Sequence, residues 1–566
     1  MTTGLHEGLS EVKTAVAVPT GRFRSNALLL CVLALATVVI VRGIHTGEFD
    51  YNVDEAQHGM TGLFFADVLR DLPLRHPAQY AYTYYAQYPA VAIVHWPPLF
   101  YLLEGLSFLA FGASAVSARL TILLFSLLLL YQWFRLAEEL QDSLTAAIST
   151  AALSLIPMVL LFEKTVMLEI PSLALAVAAI RYWIKYLDNA NKATLYAFAL
   201  WLAAAFLCKQ TSIFVPVFCV LTLVVTRKWE LILRREMLWA TAIFAVLTGP
   251  FYLLMLLSQG RAVAHDLGTH HLTGWSRVTY YVTTLPGAAT PLVLGLSLIG
   301  LVFCRRWNQK GQTELMLCWI AAGYVTFTFF AQSAPRFTIY WLPPLVYFAI
   351  GFLTQFFRMK TLRLAARGTA LLLVGVLTAR AWGYERAYIA GYQDAAAQLV
   401  GTYHAGIVLF DGLIPGNFVF YMRALDPHKQ FIVLRKSLYV SDIRADESSE
   451  ELLHSRDEIL QLLKGDGVRF VVILDPTPIR FNAQRVLRDV LSTGQFELIE
   501  RFPISTNEPD WKGRSLLVFE NKQWAPPSDK FLKIRMLTLN HDIIVPLDHF
   551  EFTKRTGAAD APGKSE

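Results

Sequence analysis

The sequence predicts a polytopic α-helical membrane protein with a soluble α/β domain in its C-terminal part, and three observations carry this prediction. Apolar residues make up 55% of the 566 residues and charged residues 17%, whereas soluble proteins usually contain about 45–50% apolar residues. Many apolar runs are long enough to cross a bilayer, which takes roughly 20 helical residues. After residue 400, short β-rich runs alternate with helix-like stretches, which is typical of an α/β domain.

Eleven segments are predicted to cross the membrane. The first apolar run follows a polar segment, residues 1–24, and no convincing small-residue cleavage site comes after it. We therefore interpret this run as an uncleaved span rather than a signal peptide. The predicted spans cover residues 26–42, 116–137, 144–162, 169–187, 194–208, 211–226, 238–257, 288–304, 314–332, 337–357 and 366–382. Residues 25–383 are accordingly predicted to form one transmembrane domain.

The orientation follows from three short loops that are rich in Lys and Arg. These loops lie near residues 227–235, 305–310 and 358–367, on one side in the count of eleven spans, and such loops accumulate on the cytoplasmic side. The N-terminal segment is then cytoplasmic, and residues 43–115 and everything after the last span face the periplasm or exterior. We expect a multi-pass protein of the inner (plasma) membrane.

One further apolar stretch, residues 97–112, is left out of this count. It is short and contains Glu104, and counting it as a crossing would invert every later loop. We therefore predict an interfacial or re-entrant helix within the first outer loop, residues 43–115.

Residues 384–552 are predicted to form an outward-facing α/β domain. Its β-rich runs cover residues 406–410, 430–434, 469–474, 496–499 and 515–519, and its helix-like stretches cover residues 449–464 and 482–493. It contains no GxGxxG sequence and no P-loop, so nothing in it suggests nucleotide binding. Residues 553–566 are predicted to be a flexible tail.

Charge and cysteine usage argue against nucleic acid as a partner and against a disulfide or a cysteine metal site. The net charge is +6, but many basic residues flank apolar runs instead of forming a soluble basic patch, so nucleic acid is not an expected partner. All five cysteines lie in or beside apolar runs without a CxxC pair. Neither a disulfide nor a cysteine metal site is expected.

The first outer loop contains the main catalytic candidates, Asp54 and Glu55, with His58 close by. Long loops in compact proteins are usually functional, and adjacent acids can bind a cation or accept a proton from a nucleophile. An ordinary solvated acidic turn is the alternative. His95 precedes Trp96 and a proline pair suited to a helix start; it could be an acid, a base or a metal ligand, or could simply be hydrogen-bonded.

Charged residues beside other spans are predicted to complete the site. Glu169 begins a span, where a charge is costly unless it is paired or faces water. Lys209 lies between two apolar runs on the outer side, and its ammonium suits a phosphate partner. Arg119 and Arg336 are candidates for the same role, with snorkelling to the lipid headgroups as an equally good alternative.

The order of these motifs resembles that of the GT-C membrane glycosyltransferases, specifically the bacterial group akin to protein O-mannosyltransferases and to the aminoarabinose transferase of lipid A. The resemblance covers roughly residues 25–360. Its matching pieces are Asp54-Glu55-Ala-Gln-His58-Gly59, His95-Trp96-Pro97-Pro98-Leu99, Ser117-Ala-Arg119-Leu120, Glu169-Ile-Pro171, Lys209, and Pro335-Arg336-Phe337 through Leu342-Pro343-Pro344.

This resemblance implies a GT-C fold and the transfer of a sugar from a polyprenyl-phosphate carrier of the undecaprenyl type. The acceptor would be a glycan, lipid or protein at the outer side of the membrane. Asp54 would be the catalytic base, supported by Glu55, and direct attack would invert the anomeric carbon. The leaving phosphate needs charge neutralisation, for which Lys209, Arg119 and Arg336 are the candidates.

Three departures from the family pattern predict a divergent member. Glu169 stands where the family usually has Asp, Gln210 follows Lys209 where the family commonly has Gly, and Trp96 interrupts an otherwise unbroken His-Pro-Pro. A divalent cation as cofactor stays open on this reasoning.

Two other classes of protein compete with the enzyme. A transporter or lipid flippase would also be polytopic, but such proteins tend to show internal repeats and ionisable residues near the bilayer midplane. Here no repeat is visible and the candidate charges gather on one side. A non-catalytic scaffold is the third class, and the retained acids argue against it.

Overall fold

The computed structural model describes residues 20–50, 52–268, 272, 274–307, 311–330, 332–357, 359–436, 439–443, 448–536 and 541–551. Most of the predicted N-terminal segment and the whole predicted tail lie outside these residues. The described chain is mostly helical up to residue 383, which is called the first part below. After residue 383, in the second part, it contains both strands and helices.

The helices of the first part are α1 (Thr20–Val41), α2 (Asn52–Asp71), α3 (Pro77–Gln87), α4 (Leu99–Phe111), α5 (Ala115–Leu140), α6 (Ser143–Leu155), α7 (Pro157–Glu163), α8 (Glu169–Asn189), α9 (Lys192–Phe206), α10 (Phe214–Thr226), α11 (Arg235–Gly268), α12 (Gly274–Ala289), α13 (Pro291–Val302), α14 (Gln312–Thr328), α15 (Leu342–Gln355) and α16 (Lys360–Gly383). Short 3-10 helices precede α10 (Gln210–Ile213) and α15 (Pro335–Trp341).

Six helical segments in the described chain are long and apolar enough to span a membrane. They are Arg22–Val41, Ala115–Leu140, Glu169–Asn189, Arg235–Gly260, Pro335–Gln355 and Lys360–Gly383. Counting two bent pairs as single spans, α6 with α7 (71°) and α12 with α13 (114°), raises the number to eight. Proline begins the second helix of each pair, where its fixed φ is tolerated. Eleven spans stays a prediction, because other predicted segments form shorter helices.

The segment between α1 and α5, predicted to be the first outer loop, is largely helical. Asp54 and Glu55, which sequence reasoning placed in a loop, lie in the first turn of α2, where acidic side chains interact favourably with the helix dipole. The apolar stretch around Glu104 forms α4, a helix of 13 residues that packs on α2. A glycine in α4, Gly105, permits this approach, since a Cβ there would lie 2.8 Å from the backbone nitrogen of Ala66 in α2.

The second part contains α17 (Tyr392–Tyr403), α18 (Pro415–Leu425), α19 (Arg456–Gly465) and α20 (Asn482–Leu491), with strands β1 (Ile389–Ala390), β2 (Gly406–Asp411), β3 (Phe431–Arg435), β4 (Val440–Ile443), β5 (Ser448–Glu451), β6 (Phe470–Asp475), β7 (Phe496–Pro503), β8 (Ser505–Thr506), β9 (Ser515–Asn521), β10 (Phe531–Met536) and β11 (His541–Pro546).

Five of these strands form a mixed sheet in the order β3-β2-β6-β9-β7. Strand β2 runs parallel to β3 and β6, and β9 runs antiparallel to β6 and β7. The central strands β2 and β6 are buried along most of their length, which explains their continuous apolar runs. The five predicted β-rich runs coincide with these five strands, whereas the predicted helix at residues 449–464 begins only at Arg456.

Buried polar contacts join the second part to the segment between α1 and α2. The Glu48 carboxylate accepts hydrogen bonds from the backbone N–H groups of Gly391, Tyr392 and Gln393 at 2.9–3.2 Å and from Asn417 Nδ2 at 3.0 Å. The three backbone N–H groups lie at the first turn of α17, where a carboxylate caps exposed N–H donors. Burial nevertheless raises the pKa of Glu48 to about 7.

Candidate active site

Four of the candidate residues form one charged network. Arg336 Nη1 lies 3.1 Å from Asp54 Oδ2, and Arg336 Nε lies 3.6 Å from Glu169 Oε1. The same Glu169 oxygen accepts a hydrogen bond from Lys209 Nζ at 2.5 Å. Two cations and two carboxylates from four separate segments of the chain therefore meet at one place, which is called the charged cluster below.

Each member of the charged cluster stands at the beginning of a helical element. Asp54 and Glu169 lie in the first turns of α2 and α8, where the helix dipole stabilises negative charge. Lys209 immediately precedes the 3-10 helix Gln210–Ile213, and Arg336 lies in the first turn of the 3-10 helix Pro335–Trp341. Helix starts bring the four side chains together although they are far apart in sequence.

Burial distinguishes the two acids of the charged cluster. Glu169 is fully buried, whereas the Asp54 side chain is 21% exposed. In the described part of the chain, Glu169 Oε2 has no hydrogen-bond partner, so Oε1 makes both contacts with the cations: it accepts a hydrogen bond from Lys209 and forms an ion pair with Arg336 at 3.6 Å. Glu169 thus orients Lys209 and Arg336, and Asp54 is the acid that a substrate can reach.

Glu169 opposes the effect of burial on the Lys209 ammonium. Burial lowers the pKa of the Lys209 ammonium and the neighbouring Arg336 lowers it further, while the carboxylate of Glu169 acts in the opposite direction. A buried ammonium next to a guanidinium forms a positively charged surface suited to an anion.

A chain of hydroxyl groups lies beside the charged cluster, and sequence reasoning did not identify it. Tyr340 OH lies 2.6 Å from Thr211 Oγ1 and 3.2 Å from Ser172 Oγ, which in turn lies 3.1 Å from Ser212 Oγ. Each of these residues lies within four positions of a member of the charged cluster. That proximity in sequence is the only signal that could have identified them, because isolated hydroxyl residues in apolar runs are common.

His58 lies one helical turn after Asp54 on α2. Its Nδ1 lies 2.7 Å from Tyr101 OH, and its ring lies 4.3 Å from the ring of Trp96. Burial together with the charges of Lys209 and Arg336 lowers the pKa of His58 well below its ordinary value, so the imidazole is neutral at pH 7. A neutral imidazole in this position can accept or donate a hydrogen bond.

The segment that carries His95 is bonded to the segment that carries Lys209. Gln210 Nε2 donates to the His95 carbonyl at 3.2 Å, and the Leu99 N–H donates to the Leu207 carbonyl at 2.9 Å. The ring of His95 lies 4.7 Å from that of Trp96. Trp96, the residue inserted before the proline pair, therefore lies between the Asp54 helix and the Lys209 segment.

Glu55 points away from the charged cluster. It is fully buried, its Oε2 accepts from the backbone N–H of Asp50 at 2.8 Å, and its Oε1 accepts from that of Val166 at 3.0 Å. Arg386 Nη1 lies 3.5 Å from the same Oε1. These contacts give Glu55 a position that joins three segments, and its predicted supporting role next to Asp54 stays a prediction.

Arg119 is also separate from the charged cluster. Its two terminal nitrogens donate to the backbone carbonyls of Ile44, Thr46, Gly47 and Glu48 at 2.6–3.2 Å. The guanidinium is occupied by the chain that leaves α1. Arg119 therefore lies apart from Lys209 with its terminal nitrogens bonded to that chain, and its predicted role in phosphate binding stays a prediction.

Among the residues that the structure describes, no group of three or more His, Cys, Asp and Glu side chains has the arrangement of a metal site. Asp54, Glu55 and His58, which are close in sequence, have different partners.

Comparisons with known proteins agree with this architecture. The family of dolichyl-phosphate-mannose-protein mannosyltransferases matches residues 95–252. The structure of ArnT from Cupriavidus metallidurans bound to undecaprenyl phosphate superposes with a TM-score of 0.61 at 14% identity, covering 89% of this chain and all of that one. In its apo state the same protein gives a TM-score of 0.60 at 14% identity, covering 88% and 98%. The chain therefore shares the overall fold of ArnT, and residues 95–252 resemble the dolichyl-phosphate-mannose-protein mannosyltransferases.

A more distant likeness extends the same conclusion. The apo oligosaccharyltransferase of Archaeoglobus fulgidus superposes on this chain with a TM-score of 0.54 at 10% identity, covering 90% of this chain and 76% of that one. No curated protein sequence matches the chain. At these identities the likeness establishes a shared fold, and the chemistry of this chain has to be argued from its own residues.

Proposed function

We propose that this protein is a glycosyltransferase that moves a sugar from a polyprenyl-phosphate carrier to a hydroxyl or amine of an acceptor. The charged cluster is the observation that carries the proposal. Lys209 and Arg336 offer two cations to one anion, and Asp54 lies directly beside them. ArnT, whose structure contains undecaprenyl phosphate, supports a donor of the same class.

The reaction is a direct displacement at the anomeric carbon. The acceptor oxygen or nitrogen forms a bond to this carbon from one side, and the bond between the carbon and the phosphate oxygen breaks on the other. The electron pair of the broken bond leaves with the polyprenyl phosphate, and the proton of the acceptor goes to Asp54. Attack opposite the leaving group inverts the anomeric configuration.

The charged cluster suits both ends of this displacement. Negative charge develops on the leaving phosphate, and preorganised cations in a buried site stabilise such charge more than water does. Glu169 fixes Lys209 and Arg336 in position, so little reorganisation is needed during the reaction. Arg336 contacts both Asp54 and Glu169, which would hold a bound phosphate next to the base.

The proposal assigns further roles that follow the sequence reasoning. Residues 25–383 form the catalytic domain, and the charged cluster faces the outer side of the inner membrane. The second part, residues 384–552, lies on the same side and helps to select a glycan, lipid or protein acceptor. The contacts of Glu48 with α17 support this arrangement, since they tie the second part to the segment that leads into Asp54.

Transfer of a radiolabelled sugar from a polyprenyl-phosphate donor in membranes tests the proposal. The Asp54→Asn variant keeps the size of the side chain but cannot accept the proton, and we expect its transfer rate to fall by about 10²–10⁴-fold. Asp71→Asn is the matched control on the same helix, because Asp71 pairs with Lys429 outside the charged cluster. Undiminished transfer by a correctly inserted Asp54→Asn protein would remove Asp54 as the base.

A further inference from the structure

A second positively charged site lies apart from the charged cluster, in a cavity of about 260 Å³ at the end of α1. The cavity opens where the membrane helices meet the segment that follows α16. Its walls carry four cationic side chains, from Arg42, Arg119, Lys164 and Arg386, with two acids, Glu163 and Glu385, and the polar residues Thr46, Tyr384, Tyr388 and Asn507. None of the members of the charged cluster lines it.

The ends of two membrane helices locate this cavity at the depth of the lipid headgroups. Arg42 directly follows the last residue of α1, and its guanidinium lies over the ring of Trp382, near the end of α16, at 4.4 Å. Cationic and aromatic residues gather at the ends of membrane spans because their polar ends reach the headgroup region. Apolar side chains on both helices, such as Val38 and Val376, are exposed, as expected of surfaces that face acyl chains.

Lys164 supplies unused hydrogen-bond donors in this cavity. Its side chain is buried, with 7% of the residue exposed, and Nζ donates to the Arg42 carbonyl at 3.0 Å. An ammonium has three donors, so two remain for a ligand. In the described part of the chain no carboxylate lies within ion-pair distance of Lys164, and its neighbour Glu163 instead accepts from Ser154 Oγ at 3.0 Å. A buried ammonium without a carboxylate partner is costly, and an anionic ligand would offset that cost.

The other cations give the cavity a rigid positive wall. Arg119 and Arg386 donate to backbone carbonyls of residues 44–48, which holds their guanidinium groups in place. Arg386 is also paired with Glu55 at 3.5 Å, so Arg119 contributes more of the net positive charge of the wall than Arg386 does. Of the two lining acids, Glu163 is held by Ser154 and Glu385 is exposed to solvent. Burial, together with the positive charges of Arg42 and Arg386, lowers the pKa of Lys164 to about 8, while the neighbouring Glu163 acts in the opposite direction.

We propose that this cavity binds the phosphate of an anionic membrane lipid, with Lys164 and Arg42 donating hydrogen bonds to its oxygens. The lipid source is favoured over a free phosphate because the cavity lies at the ends of α1 and α16, beside surfaces suited to acyl chains. The proposal does not depend on the sugar-transfer reaction, and a protein without that activity would bind the lipid equally well.

Binding of short-chain lipids to the purified full-length protein tests the site. Dioctanoyl phosphatidylglycerol is titrated at pH 7, with dioctanoyl phosphatidylcholine and inorganic phosphate as separate ligands, and affinity is measured by thermophoresis. We expect Lys164→Met to weaken phosphatidylglycerol binding by about tenfold or more, equal to about 1.4 kcal/mol. Lys185→Met is the matched control, because Lys185 pairs with Glu139 at 2.9 Å elsewhere on the protein.

A second arm of the experiment avoids the question of whether Lys164→Met folds. The wild-type protein should lose more affinity between pH 7 and pH 9 than Lys164→Arg, because Lys164 gives up its proton in this range whereas a guanidinium stays charged. Burial raises the pKa of Glu163 to about 8, so this carboxyl group gains negative charge in both proteins, and only the difference between them reports on Lys164. Burial lowers the pKa of Arg119 to about 10, which keeps most of its charge up to pH 9. An equal loss of affinity in the two proteins overturns the proposal. Affinity that is independent of pH in the wild type, or unaffected by Lys164→Met, overturns the proposal. Equal affinity for inorganic phosphate or phosphatidylcholine overturns the assignment to an anionic lipid.

Discussion

Replacing Arg423 with Met should uncouple the second part of the protein from the helix that carries Asp54. Arg423 Nη2 and Nε donate to the two carboxylate oxygens of Asp67 at 2.7 and 2.9 Å. Both side chains are buried, with 3% and 0% exposed. Asp67 lies in α2 and Arg423 in α18, so this bidentate ion pair holds the two parts of the chain together.

The magnitude follows from what the substitution leaves behind. Methionine fills most of the space of the Arg423 stem but leaves the Asp67 carboxylate without its bidentate partner, and breaking a buried pair from one side costs about 3–5 kcal/mol. Asp67 keeps Tyr84 OH at 2.7 Å and the more exposed Arg70 at 3.0 Å. These two contacts compensate in part, so we expect Arg423→Met to lower the free energy of unfolding by about 3 kcal/mol.

Thermal unfolding of the detergent-purified protein measures this loss in a double-mutant cycle. Arg423→Met should unfold several degrees below the wild type, and the double variant Asp67→Asn/Arg423→Met should recover at least half of that difference, because no buried charge is left unpaired. Arg469→Met is the control, since Arg469 forms a more exposed pair with Glu520, and it should change stability by no more than about 1 kcal/mol. If the two single effects simply add in the double variant, the pair does not hold the two parts together.

Two further predictions concern the charged cluster and the Glu48 contacts. Lys209→Ala should lower the kcat/KM of sugar transfer by about 10²-fold, because one of the two cations on the leaving phosphate is lost. Lys209→Arg should recover part of this loss. Equal rates for the wild type and Lys209→Ala would exclude phosphate binding by Lys209. Glu48 has a pKa raised to about 7 from an ordinary value near 4.5, so the folded protein binds this proton more tightly than the unfolded chain. Its contribution to stability is then present below pH 4.5 and is lost as the pH rises to 7, and Glu48→Gln should flatten the fall in unfolding temperature between pH 5 and pH 8. An unchanged slope would contradict this assignment.

The sequence predicted the helical segments well because span length and hydropathy are local properties. Every predicted span coincides with helical residues in the structure, including the shorter helices α9, α10 and α14. The number of crossings is less certain, since bends such as the 114° angle between α12 and α13 depend on packing and not on composition. The helical state of residues 52–71 was not predicted, because α2 combines charged and apolar residues without a strong pattern.

The candidate site was partly accessible to sequence reasoning. Asp54, Glu169, Lys209 and Arg336 are charges at the beginnings of helical elements, where an unpaired charge would be costly, and the structure brings exactly these four together. Arg119 obeys the same rule but satisfies its charge with backbone carbonyls of the chain that leaves α1. Sequence cannot distinguish the two outcomes, because carbonyl acceptors are present at every residue and only the path of the backbone decides where they point.

Glu55 and Asp54 show how adjacent residues acquire different duties. Successive positions on a helix point about 100° apart, so the side chains of two neighbouring acids cannot both face one ligand. Asp54 faces Arg336 and remains partly exposed, while Glu55 faces Val166 and Arg386 and is fully buried. Arg386 lines the proposed lipid cavity and also contacts Glu55. Through this contact, Glu55 joins the wall of the cavity to α2, the helix that carries the proposed base.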